Sequence, residues 1–121
     1  YGIDPDTAFV ALIPYSGQVV THFERRRELG LPDTQPLVDD MAPLSYVRPD
    51  CRPMLILSGD REREMLGRYE ENAYFWRMMR VAGHPDVRIC EFDGFDHGNM
   101  PQAGHFVAVR YIREMERRMD R

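Results

Sequence analysis

Three short apolar runs, each ended by turn-forming residues, constrain the fold of this 121-residue chain most strongly. They are residues 9–14 (FVALIP), 54–57 (MLIL) and 87–92 (VRICEF). Runs of this length are typical of strands that helices cover on both faces, as in parallel sheets. Because segments of helical character separate and follow them, the connections are expected to be helical crossovers. The sequence therefore predicts an α/β fold, a three-stranded parallel sheet with flanking helices, as a single domain over residues 1–121.

The segments between the runs predict four helical elements. They cover residues 19–29, one or two turns within 41–47, a long helix from Glu62 or Glu64 to Val81, and a last helix over 105–121. Apolar residues recur at spacings of three or four on the two longest helices, which predicts a face packed on the sheet for each. These residues are Leu66, Tyr69, Ala73, Trp76 and Met79 on the first, and Phe106, Val109, Ile112, Met115 and Met119 on the second.

Charge and cysteine content exclude several classes of partner. Twenty acidic residues against sixteen basic ones give a net charge of −4, which disfavours binding to nucleic acid or to an anionic membrane. No apolar run approaches the roughly 18 residues of a membrane span. Cys51 and Cys90 are too few for a disulfide scaffold or a zinc ribbon, so we expect two reduced structural thiols and a cytoplasmic protein.

Polar side chains follow the second and third apolar runs, where the chain leaves the predicted sheet. The second run is followed by S-G-D-R-E-R-E, with carboxylates at Asp60, Glu62 and Glu64, and the third by D-G-F-D-H-G, with an imidazole at His97. Because parallel strands end at the same edge of a sheet, a carboxylate and His97 are expected to meet there. Such a pair activates a hydrolytic nucleophile, since the carboxylate orients the imidazole and the imidazole carries the proton.

At these residues the chain resembles the C-terminal part of the α/β-hydrolase fold, in its esterase and lipase branch, including kynurenine-formamidase-like members. In that family the acid usually stands three residues after a glycine, and the histidine lies in a D-H-G-type loop. Counted from Gly59, the resemblance implies Glu62 as the acid and His97 as the base, with Asp60 or Glu64 as alternatives for the acid.

The resemblance also implies an activity. The chain would correspond to strands six to eight of a serine esterase or lipase that hydrolyses small acyl esters and needs no cofactor. An arylformamidase-type amide hydrolase is an alternative within the same resemblance. In either case Glu62 and His97 would be the acid and base of a Ser-acid-His triad.

The nucleophile of such a triad is not found in this sequence. The elbow motif G-x-S-x-G is absent, because Ser16, Ser45 and Ser58 all lack the flanking glycines. We therefore expect a C-terminal fragment that is inactive alone, with the serine and the oxyanion-hole donors encoded upstream of Tyr1. Its first strand would be an open edge, which favours self-association or pairing with the N-terminal half.

Three other classes of function are alternatives to this interpretation. A metal site would use Asp93, Asp96, His97 and His105, whose spacing matches no strong ligand pattern. A nucleotide-binding module requires a glycine-rich strand-to-helix turn, and none of the three runs is followed by one. A non-catalytic interaction module with the shape of a hydrolase stays open, and an upstream G-x-S-x-G would distinguish the enzyme from it.

Overall fold

The computed structural model describes residues 2–120, in which two parallel strands lie between helices. The elements are α1 (Pro5–Ala8), α2 (Phe23–Glu28), a 3-10 helix (Pro43–Tyr46), β1 (Met54–Gly59), α3 (Arg68–Val81), β2 (Val87–Phe92) and α4 (Met100–Met119). β1 and β2 pair in parallel, with Met54 opposite Val87 and Gly59 opposite Phe92. The α/β class predicted from the sequence, a parallel sheet with flanking helices, is confirmed.

The first apolar run lies beside β1 but does not form a regular strand, so the sheet has two strands where three were expected. Isolated parallel bridges join Leu12 to Met54 and Tyr15 to Leu57. The N–H of Leu57 donates to the carbonyl of Pro14 at 3.0 Å, but Pro14 has no N–H with which to continue the ladder. We call residues 9–15 the edge segment.

Strand β1 is buried along its whole length, and its residues alternate between two cores. Met54 and Ile56 belong to the cluster that contains residues of α3, whereas Leu55 and Leu57 belong to the cluster that contains residues of α4. Successive side chains of a strand point to opposite faces, so a strand covered on both faces must be apolar at every position. This burial explains the unbroken M-L-I-L run.

The helix boundaries differ from the sequence prediction where local turns intervene. Helix α3 begins at Arg68, because Gly67 adopts a left-handed conformation (φ 74°) and separates the helix from the preceding turn. Helix α4 begins at Met100, five residues earlier than expected, with Pro101 in its first turn. Helix α2 covers only part of residues 19–29. The expected end of the last helix, Arg121, lies outside the described residues.

The predicted inner face of α4 is wrong except at Met115. Phe106 is 80% exposed, and Val109, Ile112 and Met119 are also exposed. The residues that pack inward are Met100, Gly104, Ala108, Tyr111 and Met115. Gly104 lets the helix approach the sheet, since a Cβ there would lie 3.1 Å from the Tyr15 ring and 3.4 Å from Leu57. An apolar stripe of α4 is therefore left on the surface.

The inner face of α3 also differs from the prediction. Its buried residues are Arg68, Asn72, Phe75 and Met79, of which only Met79 belongs to the expected stripe. Leu66 precedes the helix and is exposed. Among the described residues, none of the helices has the length and apolar character needed to cross a membrane.

Candidate active site

The loops that follow β1 and β2 are tied together at one edge of the sheet by Asp60. Its N–H donates to the carbonyl of Phe95, and its Oδ2 accepts the N–H of Gly94, both at 2.8 Å. Gly94 adopts a left-handed conformation (φ 82°), which favours glycine at that position. Hydrogen bonds from the N–H groups of Gly94 and Glu62 hold the pKa of Asp60 below its usual range. Asp60, a sequence candidate for the acid, therefore joins the two loops.

A single turn after β1 brings Glu64 back over the end of the strand. The carbonyl of Asp60 accepts hydrogen bonds from the N–H groups of Arg63 (2.9 Å) and Glu64 (2.8 Å). The Glu64 side chain is completely buried, and its Oε1 accepts the N–H of Gly59 at 3.1 Å. Glu64 fits there because Gly59 has no side chain, since a Cβ on Gly59 would lie 2.8 Å from Glu64 Cγ.

Glu64 and His97 form the carboxylate–imidazole pair of this edge. His97 Nδ1 lies 3.0 Å from Glu64 Oε2, and the His97 side chain is 46% exposed. The loop around His97 is fixed by Asp96, whose Oδ1 accepts the N–H groups of Gly98 and Asn99, each at 2.9 Å. In turn, the N–H of Asp96 donates to Asn99 Oδ1 at 2.7 Å. The imidazole is thus presented at the surface while the carboxylate behind it is buried.

The contact expected between Glu62 and His97 is not present. Glu62 is exposed, and its backbone N–H donates to Asp60 Oδ1 at 2.8 Å. The turn that begins at Asp60 rotates the chain, so that Glu64, two positions after Glu62, faces the imidazole. Counting from Gly59 located the turn but not the residue of the turn that points inward.

Glu64 stays ionised although it is buried. Burial alone would raise the pKa of its carboxyl group, but hydrogen bonds from Ser16, Met65 and Gly59, together with the charge of His97, lower the pKa below its usual value. An ionised carboxylate can only accept, so the hydrogen between the two groups belongs to His97 Nδ1. When the ring is neutral, its lone pair is then on Nε2, the nitrogen that can accept a proton.

Ser16 also belongs to this site, a role that its sequence pattern alone does not predict. Ser16 directly follows the edge segment. Its side chain is buried and donates its hydroxyl hydrogen to Glu64 Oε1. Its backbone is left-handed, with φ 47°. The signal available in the sequence is the Y-S-G-Q turn directly after an apolar run, which predicts a loop at the same sheet edge.

The other histidines lie in separate environments. His84 is buried, with Nε2 2.8 Å from the carbonyl of Cys51 and Nδ1 accepting the N–H of Asp86. His105 Nδ1 lies 3.1 Å from the hydroxyl of Tyr15. Within residues 2–120, no three His, Cys, Asp or Glu side chains converge as metal ligands, so the structure gives no support to the metal alternative.

Solved structures of an esterase share this fold, although no family model and no curated protein matches the chain. Esterase 2 of Thermogutta terrifontis in its propionate-bound form superposes with a TM-score of 0.63 at 20% identity, over 88% of this chain and 43% of that chain. Its tabun-modified form gives 0.65 at 22% identity, over 88% and 41%. Its apo form gives 0.64 at 19% identity, over 88% and 42%.

This likeness defines the class of fold. The chain has the architecture of the C-terminal part of an α/β-hydrolase, and its structural neighbours are esterases. It spans less than half the length of the neighbours it matches.

Proposed function

We propose that this chain supplies the acid, Glu64, and the base, His97, of a serine ester hydrolase. The observation that carries the proposal is the 3.0 Å contact between His97 Nδ1 and the buried, ionised Glu64 carboxylate. An esterase-type fold with this pair at the carboxyl edge of the sheet supports the same chemistry. Glu64 takes the place that sequence reasoning gave to Glu62.

The proposed reaction is a two-step acyl transfer in which His97 carries the proton. A serine from a G-x-S-x-G segment outside the described residues attacks the ester carbonyl, while His97 Nε2 takes its hydroxyl proton. Glu64 stabilises the imidazolium through Nδ1–H. Nε2 then gives the proton to the departing alkoxide as the ester C–O bond breaks, which releases the alcohol. Water hydrolyses the acyl-serine by the same route, and no cofactor takes part.

The substrate class proposed is a short-chain carboxylic ester. The esterase from Thermogutta terrifontis has been solved with propionate and with butyrate bound, and also phosphorylated by paraoxon. Carried over to this chain, these compounds favour small acyl groups on the serine. Hydrolysis of an amide, lipase activity and a cytoplasmic location stay predictions from the sequence.

We further propose that the edge segment pairs with additional strands that complete the sheet. The N–H of Leu12 donates to the carbonyl of Pro53, and its carbonyl accepts the N–H of Leu55. Because backbone groups alternate in direction along an extended chain, the N–H and carbonyl groups of Ala11 and Ile13 point to the opposite edge. A groove of about 490 Å³ beside this edge is lined mainly by apolar side chains, including Phe9 and Ile112. The shorter span of this chain relative to its structural neighbours supports an occupant that contributes the remaining strands.

Hydrolysis assays test the proposed function. Residues 1–121 alone are expected to give no turnover of p-nitrophenyl butyrate above background. With the coding sequence upstream of Tyr1 included, turnover is expected, and His97→Ala or Glu64→Gln should lower kcat on the order of 10³-fold or more. Glu62→Gln is the matched control and should retain activity.

Two results would overturn the proposal. One is turnover by residues 1–121 alone that is lost in His97→Ala. The other is hydrolysis by the longer polypeptide that survives His97→Ala.

A non-catalytic interaction module is a second candidate, favoured by the exposed apolar stripe of α4 beside the open edge. That function requires a partner for the edge but no proton carrier. It predicts that the polypeptide containing this chain lacks an intact G-x-S-x-G and that His97→Ala leaves its binding unchanged.

A further inference from the structure

We propose that Ser16 is a positioning residue, which holds Glu64 by one carboxylate oxygen so that the other faces His97. The inference deepens the proposed function and rests on it. Ser16 lies in the turn that follows the edge segment and contacts Glu64 across the end of β1. It thus connects this turn to the Glu64–His97 pair, which the loops after β1 and β2 provide.

The hydrogen bonds of Glu64 are divided evenly between its two oxygens. Oε1 accepts the Ser16 hydroxyl and the N–H of Gly59 (3.1 Å). Oε2 accepts the N–H of Met65 (3.0 Å) and faces His97 Nδ1 (3.0 Å). A carboxylate offers about four acceptor positions, so this arrangement uses all of them. Ser16 is the only side chain among the described residues that hydrogen bonds to Oε1, and replacing it leaves that oxygen with the Gly59 N–H as its remaining donor, which loosens the hold on the carboxylate.

The backbone of Ser16 is strained, and the surrounding structure holds it so. A φ of 47° is unfavourable for serine, while the adjacent glycine, Gly17, has no positive φ. The N–H of Ser16 donates to the carbonyl of Leu57 at 2.7 Å, and its carbonyl accepts Nη1 of the buried Arg68 at 2.5 Å. Glycine would suit this backbone better, but it has no hydroxyl to donate to Glu64.

Ser16 is not in a position to act as the nucleophile. Its hydroxyl is bound to Glu64 and not to His97, and the residue is only 3% exposed. It also lacks the flanking glycines of an elbow. The geometry therefore assigns its hydroxyl to the carboxylate rather than to a substrate.

Nuclear magnetic resonance on residues 1–121 tests the inference through two signals. The Glu64 carboxyl ¹³C titration reports its pKa, and the His97 ring ¹⁵N shifts report which nitrogen carries the hydrogen. Ser16→Ala and Ser16→Gly should both raise the pKa of Glu64 and reduce the fraction of His97 with hydrogen on Nδ1. Ser58→Ala is the matched control, because Ser58 is a buried serine whose hydroxyl donates to the carbonyl of Gly59 at 3.1 Å. It should leave both signals unchanged.

The variants separate positioning from a merely structural role. Ser16→Gly relieves the positive φ and is expected to fold, as the dispersion of amide signals will show. If it folds and both signals match the wild type, Ser16 is a turn residue and the inference is overturned. If wild-type His97 carries no hydrogen on Nδ1, the proposed function itself fails and this inference fails with it.

Discussion

Glu64 is an acid that the fold keeps both buried and ionised. A carboxylate without water is costly unless donors replace the water, and here Ser16, Gly59, Met65 and His97 supply them. The same hydrogen bonds also fix the direction of the carboxylate. At the scale of single residues, the hydrogen bonds that keep Glu64 charged therefore also set the direction in which it meets His97.

The acid dependence of stability should report this arrangement. The folded-state pKa of Glu64 lies below its unfolded value, so its charge stabilises the fold above about pH 4.3, and that contribution is lost as the pH falls through the folded-state pKa. We expect Glu64→Gln to lower the free energy of unfolding most at neutral pH and progressively less in acid. Urea unfolding at several pH values between 3 and 7 measures this difference.

The matched variant for that measurement is Glu62→Gln, because Glu62 is exposed and its carboxylate has no hydrogen-bond partner among the described residues. It should change stability little at any pH. An effect of Glu64→Gln that is equal at pH 3 and pH 7 would contradict the assignment of a stabilising charge to Glu64.

Sequence reasoning placed the carboxylate–imidazole pair to within two residues of the carboxylate that contacts His97. That His97 meets a carboxylate could be expected because the position of a loop after a strand follows from topology. Counting three residues from Gly59 favoured Glu62. The residue that points inward is Glu64 instead, because the turn at Asp60 sets the direction of each side chain and the spacing from Gly59 does not describe that turn. Ser16 was not recognised as part of the site, since its contact joins residues 48 positions apart.

At the scale of elements, the end of β1 and the loop after β2 approach so closely that only glycine fits between them. A Cβ on Gly59 would meet the carbonyl oxygen of Phe95 at 2.7 Å and Glu64 Cγ at 2.8 Å. Backbone on one side and the buried acid on the other leave no room for adjustment. Gly59 thus controls both the joining of the loops and the position of Glu64.

Gly59→Ala should therefore destabilise the chain by about 1–3 kcal/mol, as overpacking commonly does. It should also displace Glu64 from His97. Gly98→Ala is the control, because a Cβ there would lie 3.5 Å from Asp96 Oδ1 and an added methyl group is accommodated. Urea unfolding compares the two variants, and equal stability of Gly59→Ala and wild type would contradict the close approach described here.

The two strands were predicted well, because an apolar run bounded by turn residues is enough to define a buried strand. Strand β2 has the predicted boundaries, and the apolar run of β1 reflects burial on both faces. The inward face of α3 was predicted poorly because it buries two polar residues, Arg68 and Asn72, which hydropathy places outside. The inward face of α4 was predicted poorly because small residues decide how closely a helix can pack, and hydropathy does not detect them. In α4, Gly104 and Ala108 face the sheet while Phe106 lies in solvent.

At the scale of the whole molecule, the described residues form three layers, and the outer side of the edge segment has no strand paired with it. The exposed Ile112 and Met119 of α4 and the exposed Phe9 and Val10 of the edge segment provide apolar surface on this side. An unpaired edge next to apolar surface is a site where another strand adds.

We expect residues 1–121 to self-associate with rising concentration when no partner is present, as light scattering would show. Ile112→Glu should weaken this association, because it places a charge beside the edge groove. Met41→Glu changes an exposed methionine in a loop away from this groove and should not weaken the association. A clean monomer at high concentration, or equal weakening by both variants, would contradict an association through this edge.

The central claim is that His97 donates its Nδ1 hydrogen to Glu64, and ¹⁵N spectra of the His97 ring at neutral pH test it most directly. The account predicts that hydrogen resides on Nδ1 in the wild type and in Glu62→Gln, and that this preference is lost in Glu64→Gln. Hydrogen on Nε2 in the wild type, or a preference for Nδ1 that persists in Glu64→Gln, would contradict the account.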